Sequence, residues 1–336
     1  MNNNFVATAE MTKNNNILLW NFSKQVTEIE KTNFDEDDIK PKDEYKVEIK
    51  IKKRANLIDY FNLGVSLMAF SSSGNTLAAA GSSNVARVIL FDIKNMESFN
   101  EHSNKRSTII GSHRFVNQYI VALNFDTQDE SLYVVTTSNL YKLKIKLDGL
   151  NEVTKIDLKE FSSESLTSII NLKGVNNFIG TMNGLIIKIR DKTVENYKEA
   201  HTGAVNLIYS NNNTSFWTGA DDKYIKLWNS KLECERLINI KTQLSDVTTI
   251  GVTSICCHNN EKLLVGLRSG EIIYFDNYKE IDDEENQIKN HDFDKYKVLV
   301  SGHSSGKLTG LCVHRNSFFT ICTSKILYKW DVKTKS

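Results

Sequence analysis

Residues 219–229 read GADDKYIKLWN. A tight acidic turn feeds an alternating run that ends in Trp228, one of only four tryptophans in the chain. Extended backward, residues 201–229 read HTGAVNLIYSNNNTSFWTGADDKYIKLWN. An alternating segment from Ala204 to Tyr209 leads into an Asn-rich turn. Ser215 to Thr218 form a second apolar run, and Tyr224 to Trp228 a third. Runs this short, split by polar turns, predict an antiparallel meander and exclude helices.

The pattern recurs. Residues 303–331 read HSSGKLTGLCVHRNSFFTICTSKILYKWD. His303 and Trp330 are 27 positions apart, as are His201 and Trp228, and Thr320 precedes its tryptophan by the ten positions that separate Thr218 from Trp228. Weaker copies occupy 65–92, 118–146, 166–191 and 252–276, and FVATAEMTKNNNILLWN at the N-terminus supplies the last two runs of another. The copies end near residues 21, 92, 146, 191, 229, 276 and 331. A period of about 40–45 residues, with several strands per unit, is the signature of a propeller.

On these residues the sequence resembles the WD-repeat (WD40-like) family, as a divergent member. The resemblance spans essentially the whole chain and is most specific in the two tryptophan-closed copies. It implies an all-β fold, a single propeller over residues 1–336 with seven blades of antiparallel meanders. It also implies a hydrogen-bonded set of a pre-blade histidine, a second-strand Ser or Thr, a turn Asp and the closing Trp. Carried over, the set is His201, Thr218, Asp222 and Trp228 in one copy and His303, Thr320 and Trp330 in the last, where Ser324 stands in place of the Asp. Four middle copies lack the tryptophan. His113 sits where a further pre-blade histidine is expected. The physical reason for such a set is that a buried carboxylate is costly unless hydrogen-bonded.

Strand counting predicts incomplete ring closure at the N-terminus. The first copy begins at its second strand, near Phe5 to Ala9, and the last ends with its third, Ile326 to Asp331. Both missing strands belong just upstream of Met1. A chain lacking its upstream segment, two tolerated three-stranded blades, or a strand donated by a partner would each account for this.

Bulk composition narrows the function classes. Lys and Arg number 42 against 41 Asp and Glu, for a formal net charge of +1, which argues against nucleic-acid binding by bulk charge. The five cysteines form no CxxC pair and read as reduced thiols of an intracellular protein, cytoplasmic or nuclear. No secretory signal and no apolar run long enough to span a bilayer occurs. Residues 23–44, with the acidic DEDD run at 35–38, and residues 277–295 read as polar loop insertions. Nucleotide-binding, zinc-protease and serine-hydrolase motifs are absent, so neither catalytic residue, metal nor cofactor is expected. No paired-Arg motif of phosphoinositide-reading propellers is present, which argues against lipid binding.

The expectation is a non-catalytic scaffold or adaptor with protein partners. In the family, the face carrying the pre-blade loops and the turns between second and third strands is a frequent docking surface. The matching positions here are Met182, Asn183, Lys223, Tyr224 and Arg268. The alternatives are an open propeller completed by a partner's strand in a coat-like assembly, or a propeller enzyme or phosphoinositide reader.

Overall fold

In the computed structural model, the stretch that opened the reading forms part of one four-stranded sheet. It comprises β16 (Val205–Tyr209), β17 (Ser215–Ala220), β18 (Tyr224–Asn229) and β19 (Cys234–Asn239), paired antiparallel in that order. Phe216 lies opposite Trp228, and Thr218 opposite Lys226. The structure describes residues 5–9, 16–21, 50–56, 64–83, 85–93, 109–146, 149–172, 176–210, 212, 214–240, 251–258, 262–275, 296–300, 308–314, 317–322 and 327–331. The insertions expected at 23–44 and 277–295, and His303 and Ser324, lie outside the described residues.

Among the described residues there are seven sheets. The first is β1 (Phe5–Ala9), β2 (Asn16–Asn21) and β3 (Lys50–Asn56). The second is β4 (Val65–Phe70), β5 (Thr76–Gly81), β6 (Val85–Asp92) and β7 (Ile109–Val116). The third is β8 (Ile120–Phe125), β9 (Ser131–Thr136), β10 (Leu140–Lys146) and β11 (Gly149–Ile156). The fourth is β12 (Leu166–Leu172), β13 (Asn176–Thr181), β14 (Leu185–Arg190) and β15 (Thr193–Glu199), and the fifth is the sheet above. The sixth is β20 (Val252–His258), β21 (Lys262–Leu267), β22 (Ile272–Phe275) and β23 (Tyr296–Val300). The seventh is β24 (Leu308–His314), β25 (Ser317–Cys322) and β26 (Leu327–Asp331). Every sheet is a meander, and the first strands β4, β8, β12, β16, β20 and β24 stand side by side. This is the architecture of a β-propeller, with β4, β8, β12, β16, β20 and β24 innermost.

The burial pattern explains why these residues become these strands. A blade is covered on both faces by its neighbours, so its second strand has no solvent face. SLYVVT of β9 is buried at every residue, whereas TVENYKE of β15 is exposed along most of its length. Apolar clusters fill the spaces between successive sheets. Phe178 and Ile186 of the fourth sheet meet Phe216 and Trp228 of the fifth, and Trp217 and Ile225 of the fifth meet Leu263 and Val265 of the sixth. Phe178 and Phe216 lie 4.5 Å apart between ring centroids. Phe216 and Trp217 thus serve opposite interfaces, as the period-two pleat of a strand requires.

Six innermost strands share one irregularity. Each register shifts after its first residue, leaving a bulged residue at Ser66, Val121, Thr167, Asn206, Thr253 or Thr309. A bulge increases local twist. Two of these side chains also reach the next blade. The Thr167 hydroxyl donates to the Val205 carbonyl, and Asn206 Nδ2 donates to the Val252 carbonyl at 3.0 Å.

Candidate partner-docking face

Among the described residues, the turns between second and third strands and the loops leading into the third, fourth and fifth sheets lie on one face. In the fifth sheet this face is pinned by a buried polar chain. Trp228 Nε1–H donates to the Thr218 hydroxyl oxygen at 2.9 Å, and that hydroxyl lies 2.8 Å from His201 Nε2. Indole can only donate and a carboxylate can only accept, so the Thr218 oxygen accepts from Trp228 and His201 Nδ1–H donates to Asp222, 2.9 and 3.0 Å from its two oxygens. Asp222 also accepts the backbone N–H groups of Thr202 and Tyr224, each at 3.1 Å. Burial alone would raise the Asp222 carboxyl. The bond and charge interaction with His201 and these two amides outweigh it and hold the group below the ordinary carboxylate range. The loop at 200–204 is held from the other side as well. Gly184, at φ +84°, accepts the amides of Ala200 and His201 on its carbonyl, both at 3.0 Å.

A second set of bonds ties the fifth sheet to the sixth. Asp221 Oδ1 accepts from Asn206 Nδ2 at 2.7 Å and from Arg268 Nη2 at 2.7 Å. Arg268 N–H donates to the Gly251 carbonyl at 2.7 Å. A Cβ at Gly251 would stand 2.5 Å from Asp221 Oδ1, so glycine there lets the carboxylate close on the guanidinium.

The five residues singled out for docking occupy equivalent turns of three consecutive sheets. Met182 and Asn183 belong to the fourth, Lys223 and Tyr224 to the fifth, Arg268 to the sixth. Met182 is 55% exposed, while its N–H donates to the Ser165 carbonyl at 2.8 Å. Asn183 Nδ2 donates to Glu164 at 3.0 Å. Lys223 takes the left-handed conformation, φ +70°, that tightens the turn. Tyr224 is partly buried under the Lys226 ammonium, which lies 5.9 Å from its ring centroid. Arg268 is engaged with Asp221 and is therefore part of the seam as well as of the surface.

The other predicted network divides. Thr320 is fully buried in β25, and Trp330 lies opposite Phe318 in β26, the register that Trp228 and Phe216 show. Its histidine, His303, lies outside the described residues. His113 corrects an expectation. It is not in a pre-blade loop but within β7, opposite Val88, with its ring edge-on to Phe115 at 4.8 Å. Burial lowers its pKa. The loop before the third blade instead presents Gln118, a residue the sequence reading did not single out. Gln118 Oε1 accepts from the Thr136 hydroxyl at 2.9 Å, and its Nε2 donates to the Tyr141 hydroxyl at 2.9 Å. This neutral set holds loop to turn in a sheet that has neither the histidine nor the tryptophan. The available signal was positional: Gln118 lies just before the innermost strand, as His201 does.

Residues 192–229 match the family described as WD domain, G-beta repeat. The match begins at the outer strand of the fourth sheet and ends with the third strand of the fifth, so the sequence repeat straddles two sheets and links them covalently. Among solved structures, the chain is similar to the crystal structure of the Myceliophteria thermophila Cps50 (Swd1) beta-propeller domain. The two share 10% sequence identity, with a TM-score of 0.68 over 98% of this chain and 94% of that one. A stretch that matches a WD repeat, with its buried Asp–His–Thr–Trp chain, set among seven antiparallel meanders, makes this chain a β-propeller that carries a WD repeat in its fifth sheet.

Proposed function

We propose that this propeller is a non-catalytic scaffold that binds other proteins through the face described above. One observation carries the reading. Backbone and side-chain bonds hold the turns of the fourth, fifth and sixth sheets in fixed positions, and exposed side chains, led by Met182, stand on them. Such a rigid display reduces the ordering cost of association. Polar groups of the innermost strands support a structural use of the channel wall. Ser66, Thr167, Asn206 and Thr253 all donate to backbone carbonyls. The test is affinity purification of the tagged chain from its own cells beside a Met182→Glu/Lys223→Glu variant. Stoichiometric partners that the variant loses support the reading. Recovery of the wild-type chain alone, or partners retained equally by the variant, overturns it.

A second reading is strand completion. The first and seventh sheets have three strands among the described residues, where the five between have four. In the seventh, β26 is the outermost of the three described strands, and a strand edge in that position suits strand addition. Amides 327–331 would then exchange with solvent more slowly when a partner is bound. Unchanged exchange in the complex would remove this reading.

A further inference from the structure

The turn between β13 and β14 runs Thr181, Met182, Asn183, Gly184, and Asn183–Gly184 is the only Asn-Gly step in the sequence. The fold demands that glycine. Its φ of +84° lies in the left-handed region, and an added Cβ would collide with the His201 carbonyl oxygen. Asn183 and Met182 beside it are exposed, so water reaches the side-chain amide. An exposed asparagine is therefore fixed next to a backbone nitrogen that no side chain of its own residue shields.

Two bonds set the geometry. Gly184 N–H donates to the Thr181 carbonyl at 3.3 Å, beyond the usual range of about 2.7–3.2 Å, so the turn restrains this nitrogen weakly. Asn183 Nδ2 donates to Glu164 Oε2 at 3.0 Å, which holds the amide in one orientation. Asn177 of β13 is the contrasting case, with no exposed surface and Phe178 following it.

We propose that Asn183 is a site of spontaneous deamidation. The Gly184 nitrogen attacks Asn183 Cγ and gives up its proton. The Cγ–Nδ2 bond breaks, and ammonia leaves with that proton. The product is a five-membered succinimide, which water opens at either carbonyl to give aspartate or isoaspartate. Each product adds one negative charge to the turn. Aspartate puts an oxygen where Nδ2 stood, so a hydrogen bond to Glu164 becomes repulsion between like charges. Isoaspartate lengthens the backbone of a turn whose Gly184 carbonyl holds the Ala200 and His201 amides. The site stands whether or not this face binds a partner.

The test incubates the folded full chain at neutral and mildly alkaline pH and maps tryptic peptides by mass. One peptide, residues 174–188, contains Asn176, Asn177 and Asn183, and its fragmentation locates any conversion. Asn183 should convert at least about tenfold faster than either of the others, because only its attacking nitrogen is unshielded. The rate should rise with pH, and both aspartate and isoaspartate should form. No conversion at Asn183 overturns the proposal, as do equal rates at the three positions. Conversion only in urea also overturns it, since the folded turn then protects the amide. Asn183→Asp carries the new charge without incubation and reads the consequence in thermal melting. Glu164→Gln should lower the melting temperature of the wild-type chain but raise that of Asn183→Asp. The same direction in both backgrounds removes the repulsion with Glu164.

Discussion

The Asp221 carboxylate of the fifth sheet lies 2.7 Å from Nη2 of Arg268 in the sixth, and both side chains are more than a third exposed. Water screens a pair in this setting, so its worth is below about 1 kcal/mol. A double-mutant cycle with Asp221→Ala and Arg268→Ala should return a coupling of that size, smaller at high salt. Asp221→Ala should cost more than Arg268→Ala, because Asp221 also holds Asn206 Nδ2.

Thr218 is the opposite case, with no exposed surface and bonds to both His201 and Trp228. Thr218→Val keeps the shape but leaves a ring nitrogen and an indole N–H unpaired in a dry site. Urea unfolding should show a loss of about 2–4 kcal/mol. Thr218→Ser, which keeps the hydroxyl, should lose about 1 kcal/mol for the missing methyl.

The depressed Asp222 carboxyl sets the sign of a pH effect. A group whose folded pKa lies below its unfolded value stabilises the fold above the unfolded pKa, near pH 4, and that contribution is lost as pH falls through the folded pKa. Unfolding midpoints should therefore drop on the acid side, and Asp222→Asn should flatten that limb while lowering stability at neutral pH. An unchanged acid limb in the variant would assign the effect to other carboxylates.

Gly184 joins two blades at a point with no room for a side chain. A Cβ there would lie 2.0 Å from the His201 carbonyl oxygen, and φ is +84°. Gly184→Ala should cost at least about 2 kcal/mol. It should also shift the His201 ring resonances, which a remote destabilisation would leave in place.

Thiol labelling should discriminate by position. Cys234 is exposed, whereas burial raises the Cys256 thiol well above its ordinary value. Iodoacetamide at neutral pH should modify Cys234 first and leave Cys256 unmodified until the chain unfolds. Comparable rates at both would contradict the packing between the sixth and seventh sheets.

What could be read from the sequence alone follows from locality. Strands such as Tyr224–Asn229 are set by alternation and turn residues within a few positions. The strands β6, β10, β14, β18, β22 and β26 end at Asp92, Lys146, Arg190, Asn229, Phe275 and Asp331. The His201 set was legible because the spacings of its four residues follow a known pattern. His113 misled because its distance to the next copy resembles a loop position, yet nothing local marks where β7 ends. That boundary depends on pairing with β6, where Val85 meets Val116 and Phe91 meets Ile109 across a long connection. The same holds for the bulged residues, the Asp221–Arg268 seam and the Gln118 set. Each arises between strands or between blades, where distance along the chain carries no information. Sequence periodicity determined that the chain folds into blades. Only their packing around the ring decided which polar groups are consumed in the seams and which side chains remain for a partner.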